Sequence, residues 1–399
     1  MHFSFQIVSG AHSGPRRGRL SLGHGVVETP VFVPVGTLGA VKACSSEDLL
    51  SCGVQMVLAN TYHLYLRPGH EIIRRLGGLN AFMNWHRPIL TDSGGFQIYS
   101  LSSLRRVSEE GVLFRSHLDG SEHFLTPEKV MEIQDALDAD IVMVLDECIG
   151  FPAARSDAEQ SMERTLRWAS RCRDVEPGER RALFGIVQGG VYADLRARCA
   201  EALCRIGFEG YGIGGLGVGE SKETMLSMVE ASVAGLPADA PRYLMGIGEP
   251  ADLVEAVARG IDMFDCVVPT RNARNGSLFT ACGVLHIKNT RYASDSDPVD
   301  AECECLACRN YSRAYLRHLF LSRELSVYRL ISIHNIFFYQ KLMERMREAI
   351  SRGTFEEFRR RFYERWHGDA RQGEEGPFGG TQRCDAACEA LNISMDEEG

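Results

Sequence analysis

Leu183-Phe184-Gly185-Ile186-Val187-Gln188-Gly189-Gly190 is the stretch that decides the fold. Its first five residues are apolar or glycine, too few for a helix, and they stop abruptly at an amide and a glycine pair. That is the form of a strand buried on both faces that runs out into a loop. Seven more short runs share it, at residues 31–35, 55–59, 88–90, 140–145, 211–213, 242–245 and 261–264. Amphipathic stretches with helix-start signals separate most of them. Thr126-Pro127-Glu128 places a cap before proline at the first helical position. Ser156-x-x-Glu159 reads as a capping box opening a helix through about Arg173. Glu249-Pro250 begins another that ends near Gly260. Strands alternating with helices imply a parallel sheet. Eight such units over about 240 residues fit an α/β fold of the (β/α)8 TIM-barrel type better than the competing open, doubly wound sheet.

The 399 residues are 44% hydrophobic and 24% charged, with 40 glycines and 14 prolines, which excludes collagen-like, coiled-coil and disordered chains. The longest uncharged apolar runs reach about half a membrane span, and the first ten residues lack the features of a signal peptide. A cytoplasmic protein with no membrane partner is expected. Thirteen scattered cysteines, an odd number, argue against a disulfide framework. Residues 1–270 read as the barrel and 271–340 as a cysteine-bearing insert followed by helices. Residues 341–372 read as a helical C-terminal segment packing on the barrel, and 373–399 as a disordered acidic tail holding Cys384 and Cys388. The net charge of −9 is unevenly spread: residues 265–372 hold eighteen Lys/Arg against thirteen Asp/Glu, a local excess of +5. Such a segment is either a solvated helical face or a phosphate-binding footprint.

In a barrel, chemistry gathers where strands end. Here the runs close on Asp92, Asp146, Gln188, the pair Gly214-Gly215, and Asp265. Any one aspartate after a strand is commonly a helix cap. Three on one rim, beside an amide and glycine turns that let a flat ligand approach, point instead to a nucleophile with an acid/base partner, as in glycosyl transfer, or to a divalent cation. No histidine closes any of these runs, which weighs against a metal-dependent hydrolase. No G-x-G-x-x-G follows the first strand in a βαβ unit, and no P-loop is present.

Cys303-x-Cys305-x2-Cys308 with His334 downstream offers three thiolates and one imidazole, a closed tetrahedral set for one structural zinc per chain. His318 is the rival fourth ligand, and the competing reading is three reduced cysteines beside a core histidine.

These motifs together resemble the tRNA-guanine transglycosylases. The resemblance rests on Asn60-Thr61-Tyr62-His63-Leu64, Thr91-Asp92-Ser93-Gly94-Gly95-Phe96-Gln97, Ser116-His117-Leu118-Asp119-Gly120, the stretch from Phe184 to Gly190, Gly214-Gly215-Leu216, Tyr243-Leu244-Met245-Gly246, the stretch from Asp262 to Arg271 and the Cys3His set. It covers roughly residues 3–365 and implies a TIM barrel with a zinc-bearing insertion after the eighth strand. It implies exchange of the wobble guanine of tRNAs with a GUN anticodon (those for Asp, Asn, His and Tyr) for a 7-deazaguanine on the route to queuosine. In that scheme Asp265 is the nucleophile on C1′ of the ribose and Asp92 the general acid/base. Asp146, Gln188 and the Gly215 amide read the base edge, Phe96 and Met245 sandwich it, and Ser93, Gly94 and Gly95 complete the pocket. Gly246, Ile247, Gly248, Glu249, Pro250, Ala251 and Asp252, with Thr270, Arg271, Asn272, Ala273 and Arg274, would meet the tRNA. Cys148 and Val218 match the bacterial form, which inserts 7-aminomethyl-7-deazaguanine (preQ1), with the Leu216 carbonyl holding its ammonium. Homodimerisation is likewise implied. A catalytically silent tRNA-binding subunit of the same family is the alternative, against which the retention of Asp92 and Asp265 argues.

Overall fold

The computed structural model describes residues 3–11, 13–101, 105–175 and 181–366. The acidic tail expected at 373–399, with Cys384 and Cys388, lies outside the described residues. All eight apolar runs become barrel strands: Val31–Gly36, Val57–Ala59, Ile89–Thr91, Ile141–Met143, Ala182–Val187, Gly210–Ile213, Arg242–Leu244 and Met263–Cys266. Each pairs in parallel with the next, and the eighth returns to the first with Phe264 opposite Phe32 and Asp265 opposite Val33. Closure removes the doubly wound alternative. Nearly every side chain on these strands is buried, because one face fills the barrel and the other meets helices. Asp265 is the half-buried exception.

The helix at Pro127–Leu137 starts as its sequence predicts, with Thr126 accepting from the Lys129 amide. The one expected at Ser156 does not. It spans Arg155–Asp174 behind Ala154, and no capping box forms. Ser156 already lies inside the first turn, its hydroxyl meets Asp157, and Glu159 is drawn outward to Arg198. The helix begins two residues early, at Arg155, which is held by Asp194 on the neighbouring helix.

Two antiparallel sheets have no counterpart in the sequence reading. The strands Ser4–Gly10, Arg16–Leu22 and Gly25–Thr29 form the first. It closes the floor of the barrel: buried Arg16 reaches Asp262, just before the eighth strand, at 3.0 and 2.5 Å, and the His24 amide donates to Asp140, just before the fourth. The second, Arg105–Val107, Val112–Arg115 and Glu122–Leu125, lies between the third and fourth barrel strands in sequence and docks on the helix Thr61–Leu66 through Tyr62–His117 and Tyr65–His123 contacts of 2.8 and 3.0 Å.

After the eighth strand come the helix Val268–Asn275, a hairpin of Ser277–Thr280 and Gly283–His286, and the short helix Leu306–Asn310 at the cysteines. The helix Leu325–Ser351 then runs unbroken through positions 340 and 341, where the sequence suggested a division; no glycine or proline interrupts it. Among the described residues no helix is long and apolar enough to cross a membrane.

Candidate active site

The C-terminal ends of the barrel strands bring Asp92, Asp146, Gln188, Gly215 and Asp265 to one mouth, as their positions in the runs implied. Asp92 follows the third strand and is buried. Its carboxylate accepts from Asn60 Nδ2 and, at 2.9 Å, from the Thr61 amide, while Thr61 Oγ1 donates to the Asp92 carbonyl at 2.5 Å. Burial pushes the Asp92 carboxyl up to about 6, and the neighbouring Asp265 charge pushes the same way against the hydrogen bonds from Asn60 and Thr61. Asp265, on the eighth strand, accepts on Oδ1 from Tyr243 Oη at 2.5 Å and from the Gly246 amide at 2.8 Å. Burial raises its pKa too, and these two donors oppose the rise. Burial thus raises both carboxyls and donors on each favour the charged form; Asp92, at about 6, is the one placed to exchange a proton near neutrality, and Asp265 has both of its donors on Oδ1.

Asp146 builds the adjoining wall. Ser93 Oγ donates to its Oδ1 at 2.8 Å and Gln188 Nε2 to its Oδ2 at 2.7 Å, and the Cys148 thiol approaches at 3.5 Å. Gly95 has to be glycine, since a Cβ there would lie 2.7 Å from the Asp146 carbonyl and 2.9 Å from its carboxylate. Gly215, at φ +65°, would put a Cβ 2.4 Å from Gln188 Oε1. These close approaches set amide and carboxylate edges directly against glycine backbone at the mouth, an arrangement suited to a planar, hydrogen-bonding ligand. Phe96 is 49% exposed on the rim, and Met245 is half-buried, its sulfur beside Gly212.

Three supporting residues were not singled out from the sequence. Tyr243 sits two positions before Met245, so the two-residue period of a strand turns both into the barrel and could have found it. Fully buried Arg196 donates to the carbonyls of Gly190, Gly214 and Gly215 at 2.6, 3.1 and 3.3 Å, tying the two glycine turns together from behind. Glu220 accepts from the Gly217 and Val218 amides at 2.5 and 3.0 Å. Arg196 and Glu220 lie on polar or helical stretches where nothing local distinguishes them.

The residues expected to meet RNA separate by exposure. Gly246, Glu249, Arg271 and Arg274 are exposed, and Ala251 and Asn272 half-buried. Ile247, Gly248, Pro250, Asp252, Thr270 and Ala273 are buried, and Asp252 pairs with Lys222 at 3.0 Å. Among the described residues neither Arg271 nor Arg274 has a carboxylate within 4 Å, which leaves both free for an anion.

Cys303, Cys305, Cys308 and His334 converge, whereas His318 lies on the helix Arg313–Leu321 and takes no part. The three sulfurs lie 3.6, 3.5 and 3.3 Å from His334 Nδ1. Zinc–sulfur and zinc–nitrogen bonds of about 2.3 and 2.0–2.1 Å at a tetrahedral angle put sulfur and nitrogen about 3.5 Å apart, so the set fits that ion. His334 Nε2 donates to the Phe279 carbonyl at 2.7 Å, which fixes the tautomer and aims Nδ1 at the thiols.

A family model described as Queuine tRNA-ribosyltransferase matches residues 11–368. A queuine tRNA-ribosyltransferase of Thermoanaerobacter sp. (strain X514) is 55% identical over 361 residues, 90% of this chain and 96% of that protein. Those of Desulforapulum autotrophicum and Pelotomaculum thermopropionicum are each 54% identical, over 90% and 92% of this chain and 98% and 100% of their own lengths.

Proposed function

From the premise that this chain belongs to the queuine tRNA-ribosyltransferase family, and so is a pentosyl-transferring enzyme of queuosine synthesis, we propose that it exchanges the wobble guanine of GUN-anticodon tRNAs for preQ1 through a covalent intermediate. The observation that carries this reading is the pair Asp92 and Asp265, two carboxyls at one mouth, the first raised to about 6 and the second with both donors on one oxygen. Both donors to Asp265 engage Oδ1, which leaves Oδ2 to bond C1′ of the ribose as the bond from C1′ to guanine N9 breaks. The Asp92 carboxyl gives its proton to the departing guanine. The incoming base then loses its N9 proton to Asp92 and displaces the Asp265 ester, restoring both carboxyls. A base turned out of the anticodon loop would lie between Phe96 and Met245, its edge read by Asp146, Gln188 and the Gly215 amide. Arg271 and Arg274 would take the flanking phosphates. Incubation with unmodified tRNA and labelled guanine tests the reading. Incorporation at the wobble position supports it, and tRNA binding without incorporation would make the chain a silent subunit.

In the same reading residues 1–270 are the catalytic barrel and 271–340 the metal-bearing subdomain. Of the C-terminal segment from residue 341, the described part, 341–366, packs on the barrel, and the enzyme works as a cytoplasmic homodimer. Zinc, held by Cys303, Cys305, Cys308 and His334, supplies structural cross-linking and has no open position for chemistry. Cys305→Ser or a strong chelator should therefore release one zinc per chain and weaken tRNA binding, with guanine affinity falling later. Elemental analysis checks this, and a zinc-free chain of unchanged stability would refute it.

Val218 governs the choice of base. Beside it and Gly215, walled by Ile149, Phe151 and Tyr192, the free space measures only about 10 Å³, one water's worth. The small aminomethyl arm of preQ1 reaches the Leu216 carbonyl, whereas the cyclopentenediol of queuine would overfill this wall. Overpacking costs about 1–3 kcal/mol, roughly five- to more than a hundredfold in affinity. Val218→Gly should admit queuine while keeping preQ1 activity. Equal use of queuine and preQ1 by the wild type would defeat the assignment.

A further inference from the structure

The helix Leu325–Ser351 carries more than the metal ligand His334. On the next residue, Asn335 Nδ2 donates to the Pro269 carbonyl at 2.9 Å and to the Ser277 carbonyl at 3.1 Å, while its Oδ1 accepts from the Phe279 amide at 3.1 Å. One turn on, fully buried Tyr339 donates from Oη to the Gly248 carbonyl at 2.5 Å, its ring packed on Phe32 and edge-on to Phe279. Pro269 lies four residues beyond Asp265, and Gly248 two beyond Gly246, whose amide donates to Asp265 Oδ1. The loop is seated tightly at that point. A Cβ on Gly248 would fall 2.3 Å from Cys266 Cβ and 2.8 Å from its sulfur, so the backbone rests directly against the residue after Asp265.

We infer that Tyr339 and Asn335 are positioning residues for Asp265: from one metal-anchored helix they pin the two loops that flank it, and Tyr339 fixes the Gly246 amide against its carboxylate. The inference rests on the reading of Asp265 as nucleophile. A buried carbonyl keeps its place only while its donor is present, and among the described residues the Gly248 carbonyl has a single side-chain donor, Tyr339. Losing the hydroxyl frees the loop by a fraction of an ångström toward the space the nucleophile uses. Reacting groups tolerate such displacement poorly.

The test compares Tyr339→Phe with Gln340→Met. Gln340, the next residue, donates to the Phe32 carbonyl at 3.0 Å within the barrel wall and serves neither loop, so its loss is a matched structural control. The full-length zinc-loaded enzyme is mixed with excess unmodified tRNA, and the single-turnover rate of covalent adduct formation is followed on denaturing gels. Equilibrium tRNA binding, zinc content and thermal unfolding are measured on the same preparations. The adduct rate of Tyr339→Phe should fall about ten- to a hundredfold with tRNA affinity and zinc content kept, while Gln340→Met stays near wild type. A wild-type adduct rate in Tyr339→Phe would overturn the inference. So would an equal loss in Gln340→Met, or a loss that comes only with released zinc or a broken fold, since the hydroxyl would then hold the fold and not the loop. Asp265→Asn, run alongside, separates the two readings. An adduct in that variant removes the nucleophile, whereas its absence together with an unaffected Tyr339→Phe removes only the positioning role.

Discussion

Asp265→Asn should leave no denaturation-resistant enzyme–RNA adduct while tRNA binding stays measurable. The amide keeps the shape of the carboxylate and can still accept from Tyr243 Oη and the Gly246 amide, so the mouth need not rearrange. What is lost is the charge, and a neutral amide is a far poorer nucleophile toward a ribose carbon. Turnover should drop to background in base exchange with labelled guanine. Because Asp265 also raises the Asp92 pKa, removing its charge should lower the Asp92 value from about 6. A covalent complex that survives in the asparagine variant would show that another group attacks.

Asp92→Asn should slow base release by roughly 10²- to 10⁴-fold, the usual worth of a positioned acid. The sign of its pH dependence follows from the raised pKa. With a value of about 6, the wild-type carboxyl holds its proton below that pH and loses it above, so adduct formation should decline as pH climbs through 6. In Asp92→Asn that alkaline decline should vanish, because no proton remains to be lost there. Near-normal turnover, or an unchanged alkaline limb, would take Asp92 out of the mechanism. The two substitutions also differ in what they spare. Asp265→Asn stops bond formation, whereas Asp92→Asn slows it and still allows an adduct to accumulate over long incubation.

The barrel was legible because each of its strands is buried on both faces and reads as an apolar run closing on polar residues or glycine. The two antiparallel sheets were not. Ser4–Gly10 alternates half-buried and exposed positions, and Arg16–Leu22 carries three arginines, one of which is buried where Asp262, just before the eighth barrel strand, and the Ala238 and Ala240 carbonyls meet it. Asp92, Asp146, Gln188 and Asp265 were legible for a related reason, since a strand end is a local feature. The residues that hold them were harder to find. Asn60, Arg196, Asn335 and Tyr339 act across 32, 19, 66 and 91 positions of the chain, on the Asp92 carboxylate and the Gly215, Pro269 and Gly248 carbonyls respectively. No local pattern in the sequence encodes a hydrogen bond of that reach. The false capping box at Ser156 is the same lesson in reverse: a local signal was overruled by Arg155 and Glu159 reaching the next helix.

The central claim is that Asp265 bonds covalently to the ribose of the target nucleotide. Its most direct test is to trap the complex of wild-type enzyme with unmodified tRNA, digest protein and RNA, and locate the ribose-bearing peptide by mass spectrometry. One modified peptide is expected, with the added ribose on Asp265. A ribose on Asp92, on Asp146 or on any other residue would contradict it, as would a trapped complex that yields no modified peptide.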